Sequence, residues 1–277
     1  MSPVAGQQTL PSGSFANGME FLTWGAGPKR LLFIPGGPGS SLPQEMMARM
    51  SRRWFAPFVE AGYTVWYVTR RRNMPPGHLV ADMADDYAHV IAEELDGRVD
   101  LAVGVSYGGM IAQHLAARHG AALGHVAIVV AAAEVCDWGK DVDSRLAAAL
   151  AADDATGAGM AFAEYAIPGD RGRWIRRLAG PLIGRSLLSG KSYPREDLLV
   201  ETEAEISFDS RPALPHIQVP VVLLCGDRDQ FFPPDVVDET FRLIPGSTLV
   251  RYQGQGHLKV ASSGRVAHDV LAFVARS

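Results

Sequence analysis

The sequence predicts an α/β fold: a doubly wound, mostly parallel sheet flanked by helices, with a helical insertion near mid-chain. Three observations carry this. Short apolar runs rich in β-branched residues recur along the chain, separated by amphipathic stretches. The runs are continuously apolar rather than alternating, so both faces of the sheet must be covered. One long block, about residues 137–215, has no such run and is rich in alanine and charge.

Taken in order, residues 14–25 contain Asn17-Gly18, a two-residue hairpin signal, and predict a short antiparallel pair at one sheet edge. Residues 31–34 (LLFI) form the next strand, stopped by Pro35-Gly36-Gly37-Pro38-Gly39. Residues 63–68 (YTVWYV) follow, ended by the basic run Arg70-Arg71-Arg72. Residues 101–105, 126–130, 219–224 and 248–252 complete the series. Between them, residues 79–95 place Met83, Tyr87, Val90, Ile91 and Leu95 on one helical face. Residues 110–118, 236–244 and 266–274 behave similarly. The strand-free block predicts several helices, among them residues 144–152, 159–166 and 173–178. The expected division is a core of residues 1–136 and 213–277 and a helical cap of residues 137–212.

Composition narrows the function classes. The chain has 277 residues, 47% hydrophobic and 20% charged, the balance of an ordinary globular protein. A net charge of -4 with no clustered sign argues against a nucleic-acid partner. Two cysteines, Cys136 and Cys225, cannot build a disulfide framework or a CxxC site. The first 18 residues show neither the basic nor the apolar region of a signal peptide. The longest apolar run, residues 126–133, is too short to span a bilayer. The expectation is a soluble cytoplasmic protein acting on a small molecule, with no membrane partner, cofactor or metal. Oligomeric state leaves no trace in the sequence.

The sharpest chemical signal is Gly104-Val105-Ser106-Tyr107-Gly108-Gly109, placed between a predicted strand and a predicted helix. A nucleophilic serine on a strained strand-to-helix turn needs this context, because the turn exposes its Oγ. Glycine at 104 and 108 removes side chains that would collide across so tight a bend. The alternative is an ordinary glycine-rich loop. The Pro35–Gly39 loop offers backbone N–H groups for a developing oxyanion. Gly37 is its expected donor, with Tyr107, the residue after the serine, as the second. His257, in Gly254-Gln255-Gly256-His257 after the last strand, is the candidate base; His78 is the second choice. Asp229, in Gly226-Asp227-Arg228-Asp229 after residues 219–224, is the candidate orienting acid, with Asp227 and Asp137 as alternatives. Both segments fall at the carboxyl ends of strands, where sites in open parallel sheets gather.

These motifs, in this order and over nearly the whole chain, resemble the α/β-hydrolase superfamily, in the branch with a helical cap after the sixth strand. The resemblance implies an eight-stranded sheet and a serine hydrolase cleaving a carboxylic ester or related acyl bond through an acyl-enzyme. Two departures stand out. Relatives commonly start the oxyanion loop with histidine where this chain has Pro35. Relatives often carry an Asp-x-Arg-Gly-x-Gly segment where this chain runs from Thr69 through Arg70, Arg71 and Arg72 to Gly77. That segment is either a recognition loop or a solvated basic turn. Gly36, Arg70, Trp138, Phe162, Tyr165 and Trp174 are candidate substrate contacts, the aromatics having cap-to-core packing as their alternative. Other readings are a proline-iminopeptidase-like aminopeptidase holding an ammonium on Glu201, Glu203 or Glu205, though alternating glutamates commonly mark a solvated segment. A carbon–carbon bond hydrolase with Arg70–Arg72 on a carboxylate, and a hydrolase-fold small-molecule receptor, complete the set.

Overall fold

Neighbouring residues of each central strand face different apolar layers. Leu32 and Ile34 belong to one buried cluster, with residues of the helices following the strands at 63–68 and 99–105. Leu31 and Phe33 belong to another, with Phe55, Phe58, Val266, Val270 and Phe273. This two-sided burial is why the strand sequences read as unbroken apolar runs. The computed structural model describes residues 11–43, 45–169, 172–189 and 193–277. The expectation of no signal peptide rests partly on residues 1–10, which lie outside the described residues.

The sheet has eight strands: β1 (Ser12–Ser14), β2 (Glu20–Trp24), β3 (Lys29–Ile34), β4 (Tyr63–Val68), β5 (Val99–Val105), β6 (Leu123–Val129), β7 (Val221–Gly226) and β8 (Thr248–Tyr252). Their spatial order is β1-β2-β4-β3-β5-β6-β7-β8. β2 runs antiparallel to β1 and β4; every other neighbouring pair is parallel. The chain leaves β3 toward β4 on one side and returns to β5 on the other. The strand order therefore reverses between β3 and β5, opening a crevice at their carboxyl ends.

Helices α1 (Glu45–Glu60) and α10 (Arg265–Val274) pack with the Leu31 layer; α2 (Val80–Glu94), α3 (Tyr107–His119) and α8 (Pro234–Leu243) pack with the Leu32 layer. The short α9 (His257–Ala261) follows β8. Among the described residues, four further α-helices lie between β6 and β7 in the chain: α4 (Asp137–Ala151), α5 (Ala155–Ala166), α6 (Arg173–Leu188) and α7 (Arg195–Ile206). They have an apolar cluster of their own, including Leu146, Leu150, Ala158, Tyr193 and Leu198.

Two local expectations need correction. The hairpin at Asn17-Gly18 is wider than a two-residue turn: Ser14 pairs with Glu20, leaving residues 15–19 as the connection. Phe15 stacks on Phe21 with centroids 4.7 Å apart, and Met19 is fully buried, so the extra residues tuck side chains against the sheet. Helix α1, with Pro57 within its last turn, was not among the expected helices.

Helices α5 and α6 cross at glycines. A Cβ on Gly184 would lie 1.6 Å from the carbonyl oxygen of Ala155, and one on Gly159 1.8 Å from that of Gly180. Gly184→Ala must push the two backbones apart, costing about 1–3 kcal/mol in overpacking. Denaturant unfolding measures this; an unchanged midpoint would contradict the close crossing.

Candidate active site

The elbow is packed tightly, backbone on backbone. A Cβ on Gly104 would lie 2.1 Å from the carbonyl oxygen of Gly108, and one on Gly108 2.1 Å from that of Ile34. Neither position has room for a side chain. Ser106 itself sits at φ 55°, ψ −120°, a sparsely populated conformation for a residue with a Cβ. Its N–H donates to the Val129 carbonyl at 2.8 Å, tying the turn to the end of β6. The strain is held by strands on both sides, and it lifts Oγ out of the sheet.

His257 comes to that oxygen from the opposite end of the chain. Its Nε2 lies 2.9 Å from Ser106 Oγ, and its Nδ1 lies 2.8 Å from Asp229 Oδ2. The other carboxylate oxygen, Oδ1, accepts the N–H groups of Phe231 (2.9 Å) and Phe232 (3.2 Å). Asp229 is 4% exposed, so every contact it makes is with protein. The Phe231 and Phe232 rings lie against the imidazole, with centroids at 4.9 and 5.9 Å. The imidazole plane is thus set from three directions.

The other candidates for these positions are engaged elsewhere. Asp227 accepts the Gly254 N–H at 2.6 Å and braces the loop carrying His257. His78 pairs with Asp86 at 2.8 Å. Asp137 opens α4 and is exposed.

Arg70 itself is neither solvated nor free to hold a substrate. It is 1% exposed. Its Nε and Nη2 donate to the two oxygens of Glu201, at 2.5 and 3.0 Å. Nη1 donates to the Pro35 carbonyl at 2.8 Å, and Nη2 also reaches the Gly36 carbonyl at 3.3 Å. The guanidinium lies over the Tyr107 ring, 4.5 Å from its centroid. All three nitrogens are occupied, so Arg70 has no free nitrogen for a substrate. Arg71 and Arg72 are likewise paired, with Asp86 and Glu20. Glu201 is no solvated glutamate either: it is fully buried and also accepts the Gly39 N–H at 2.5 Å and the Tyr193 hydroxyl.

This clamp aims the glycine loop. The Gly36 carbonyl and the Gly37 N–H belong to one planar trans peptide and point in opposite directions. Drawing the carbonyl toward Arg70 therefore turns the Gly37 N–H away from Arg70. On the other flank, the Gly36 backbone runs close to the nucleophile turn: a Cβ there would lie 3.3 Å from Ser106 Cβ. The Tyr107 N–H, first in α3, has no intrahelical acceptor. The glycine loop is supported by an ion pair.

Three of the four candidate aromatics form a chain toward the imidazole. Trp138 and Tyr165 pack on Phe231 at 4.8 and 5.6 Å, and Phe162 packs on Tyr165 at 5.7 Å. Trp174 does not join them; it is 64% exposed on α6. Sequence reasoning missed Phe231 and Phe232, whose only trace was their place directly after Asp229. It also missed Asp143, whose buried carboxyl accepts the Tyr165 hydroxyl and is pushed up to about 7 by burial, with the Tyr165 hydrogen bond opposing. Burial also raises the Glu205 carboxyl well above the usual range, and the Asp143 charge adds to the effect.

The profile of the alpha/beta hydrolase family matches residues 31–269. RutD of Yersinia enterocolitica serotype O:8, whose name places it among carbamate hydrolases, is 26% identical over 205 residues, 72% of this chain and 70% of that protein. A 73-residue match, 32% identical, covers 26% of this chain and only 4% of the polyketide synthase ThaQ of Burkholderia thailandensis. Among solved structures, the enol-lactonase of Burkholderia xenovorans LB400 superposes with a TM-score of 0.72 at 18% identity, covering 96% of this chain and 100% of that one. Among the described residues, no helix is long and apolar enough to cross a membrane.

Two measurements test the energetics. Arg70→Met strands the buried Glu201 charge and should cost about 3–5 kcal/mol of folding stability. In a double-mutant cycle with Glu201→Gln, the losses should fall short of additivity by roughly 0.5–3 kcal/mol; simple additivity would contradict the clamp. The Asp143 carboxyl titrates higher in the folded than in the unfolded chain. Its stabilising contribution is therefore complete below the ordinary value of 3.8 and is lost as pH rises through about 7. Asp143→Asn should be more stable than the native protein at pH 8, by about 1–3 kcal/mol, with the gap closing toward pH 4. A gap independent of pH would contradict the assignment.

Proposed function

The chain belongs to the alpha/beta hydrolase family, and from that membership we propose that it is a serine hydrolase acting on a carboxylic ester or related acyl bond of a small to medium substrate. The observation that carries the proposal is the unbroken relay Ser106–His257–Asp229, at 2.9 and 2.8 Å, with the serine on a strained elbow.

His257 Nε2 takes the Ser106 proton as Oγ attacks the carbonyl carbon. The amides of Gly37 and Tyr107 hold the oxyanion of the tetrahedral intermediate. His257 then gives its proton to the leaving group, and the acyl group stays on Ser106. Water, deprotonated by the same imidazole, attacks the acyl-enzyme and releases the acid. Asp229 remains ionised, keeps Nδ1 protonated and stabilises the imidazolium as it forms. The two amide hydrogen bonds on its Oδ1 stop the carboxylate from turning.

Residues 137–212 act as a cap in this reading. Support comes from Trp138 and Tyr165, which reach the imidazole through Phe231. Carbamate and enol-lactone, the groups named for two similar proteins, are both carbonyl-centred and suit the same relay. The free cysteines Cys136 and Cys225 suit a reducing compartment, and the cytoplasm is the proposed setting.

A fluorophosphonate probe should label the native protein at Ser106. Ser106→Ala should abolish labelling and lower turnover of p-nitrophenyl butyrate by about 10³-fold or more. A well-folded native protein that takes no label would favour a ligand-binding role instead. Residual turnover near the native rate would remove Ser106 from the chemistry.

A further inference from the structure

Helix α6 is packed inside out. Its seam with α5 is made of glycine: a Cβ on Gly180 would lie 2.9 Å from Met160 Cγ, and Gly159 and Gly184 have no room for one. Its large apolar side chains point the other way. Trp174, Leu178 and Leu182 are 64%, 75% and 74% exposed, where such side chains normally find burial. They recur at every fourth residue and so form one stripe, about 12 Å long, on a single helical face. Exposed this far, they contribute little to holding the fold together. Scattered surface leucines are ordinary, but a contiguous apolar stripe marks a contact site.

Charge on the same helix narrows what the stripe meets. Arg173, Arg177 and Arg185 are exposed, and α6 carries no acidic residue. Among the described residues none of the three has an acidic partner, whereas the surface arginines Arg30, Arg118, Arg145 and Arg195 are all paired. A second copy meeting α6 with its own α6 would crowd the arginines of both copies together, with no acid to answer them. The high exposure also means that no other element flanks the stripe, which is a ridge and not a groove. A protein partner would have to bring a matching groove; lipid flows around a ridge and needs none. At 16 residues and with four arginines, α6 is too short and too charged to span a bilayer, so it can only lie on one.

We propose that the outer face of α6 docks the protein on an anionic lipid surface. The helix lies flat in the interface: Trp174, Leu178 and Leu182 enter the acyl boundary, and Arg173, Arg177 and Arg185 meet the headgroup phosphates. Arginine suits this role, because its planar fork takes two oxygens of one phosphate. Trp174 suits the same depth, with an apolar ring and one N–H donor at its edge. Neither attraction holds a protein firmly alone, and their combination on one face is what a peripheral anchor requires. This docking revises the expectation of no membrane partner, which rested on the lack of a spanning segment; a surface helix needs no span. The net charge of -4 belongs to the whole chain, while the face turned to the lipid is positive. The inference is independent of the reactive serine.

Cosedimentation of the native protein with vesicles tests this, comparing pure phosphatidylcholine with a phosphatidylcholine–phosphatidylglycerol mixture. The mixed vesicles should bind at least about ten-fold more tightly, and raised salt should weaken that binding. Leu178→Gln with Leu182→Gln, and separately Arg173→Gln with Arg177→Gln and Arg185→Gln, should each weaken it by about ten-fold or more. All five positions are exposed, so unfolding midpoints near the native one check that both variants are folded. Helix α1 supplies the control. Arg49→Gln with Arg52→Gln and Arg53→Gln, beside the exposed Met47 and Met50, should leave binding within about two-fold. No binding to the mixed vesicles, the result expected of a face built for an acidic protein, would overturn the inference. Equal binding to both kinds of vesicle, or binding lost through α1 and not through α6, would do the same. So would a dimer in sedimentation velocity that Leu178→Gln with Leu182→Gln dissolves, because the stripe would then belong to a second copy.

Discussion

The Arg70–Glu201 ion pair is the constraint on which the rest of the site depends. It joins the segment after β4, the glycine loop after β3, the first residue of α3 and the helix α7. Tyr107 closes the arrangement by donating its hydroxyl to the Glu201 carbonyl at 2.9 Å. Burying two charges rarely gains much stability over an apolar replacement. What the pair supplies is geometry: it fixes which way the loop peptides face and holds the insertion against the core. In the proposed reaction, the loop meets a developing negative charge with its amides already turned.

The elbow and the clamp work as complementary constraints. Strain at Ser106 persists because β5, β6 and α3 over-determine the turn. The clamp holds the facing loop with charge, since proline and glycine side chains can contribute no polar support. Asp229 is treated the same way, with every oxygen committed. Asp143 Oδ2 and Glu205 Oε2, by contrast, are the carboxyl oxygens among the described residues that are buried without a hydrogen-bond partner.

The fold and the relay were legible because their causes are local. Both-sided burial writes itself as continuous apolar runs, and a strand followed by glycine-flanked serine and a helix leaves little else for that turn to be. His257 and Asp229 became candidates by their place after β8 and β7, a place that Asp229 shares with Asp227. The clamp was illegible for the opposite reason: Arg70 and Glu201 are 131 residues apart, and each sits in a charged run of the kind usually solvated. Alternating glutamates on α7 gave no sign of which side faced inward, and only packing against α4 decides it. The hairpin misled because Phe15 and Met19 spend three more residues on burial than an Asn-Gly turn requires. Trp174 misled because aromatic character says nothing about direction on a helix whose inner face is built from glycine.

In the proposed reaction Ser106 Oγ, His257 and the two amides converge on one reacting carbonyl group, Oγ on its carbon and the amides on its oxygen. The most direct measurement is a crystal structure of the protein inactivated by a diethyl phosphoryl ester, whose phosphorus mimics that carbon. The expected result is phosphorus bonded to Ser106 Oγ, with the phosphoryl oxygen about 3 Å from both the Gly37 and Tyr107 nitrogens. A phosphoryl oxygen turned to solvent, or phosphorus on another residue, would contradict it.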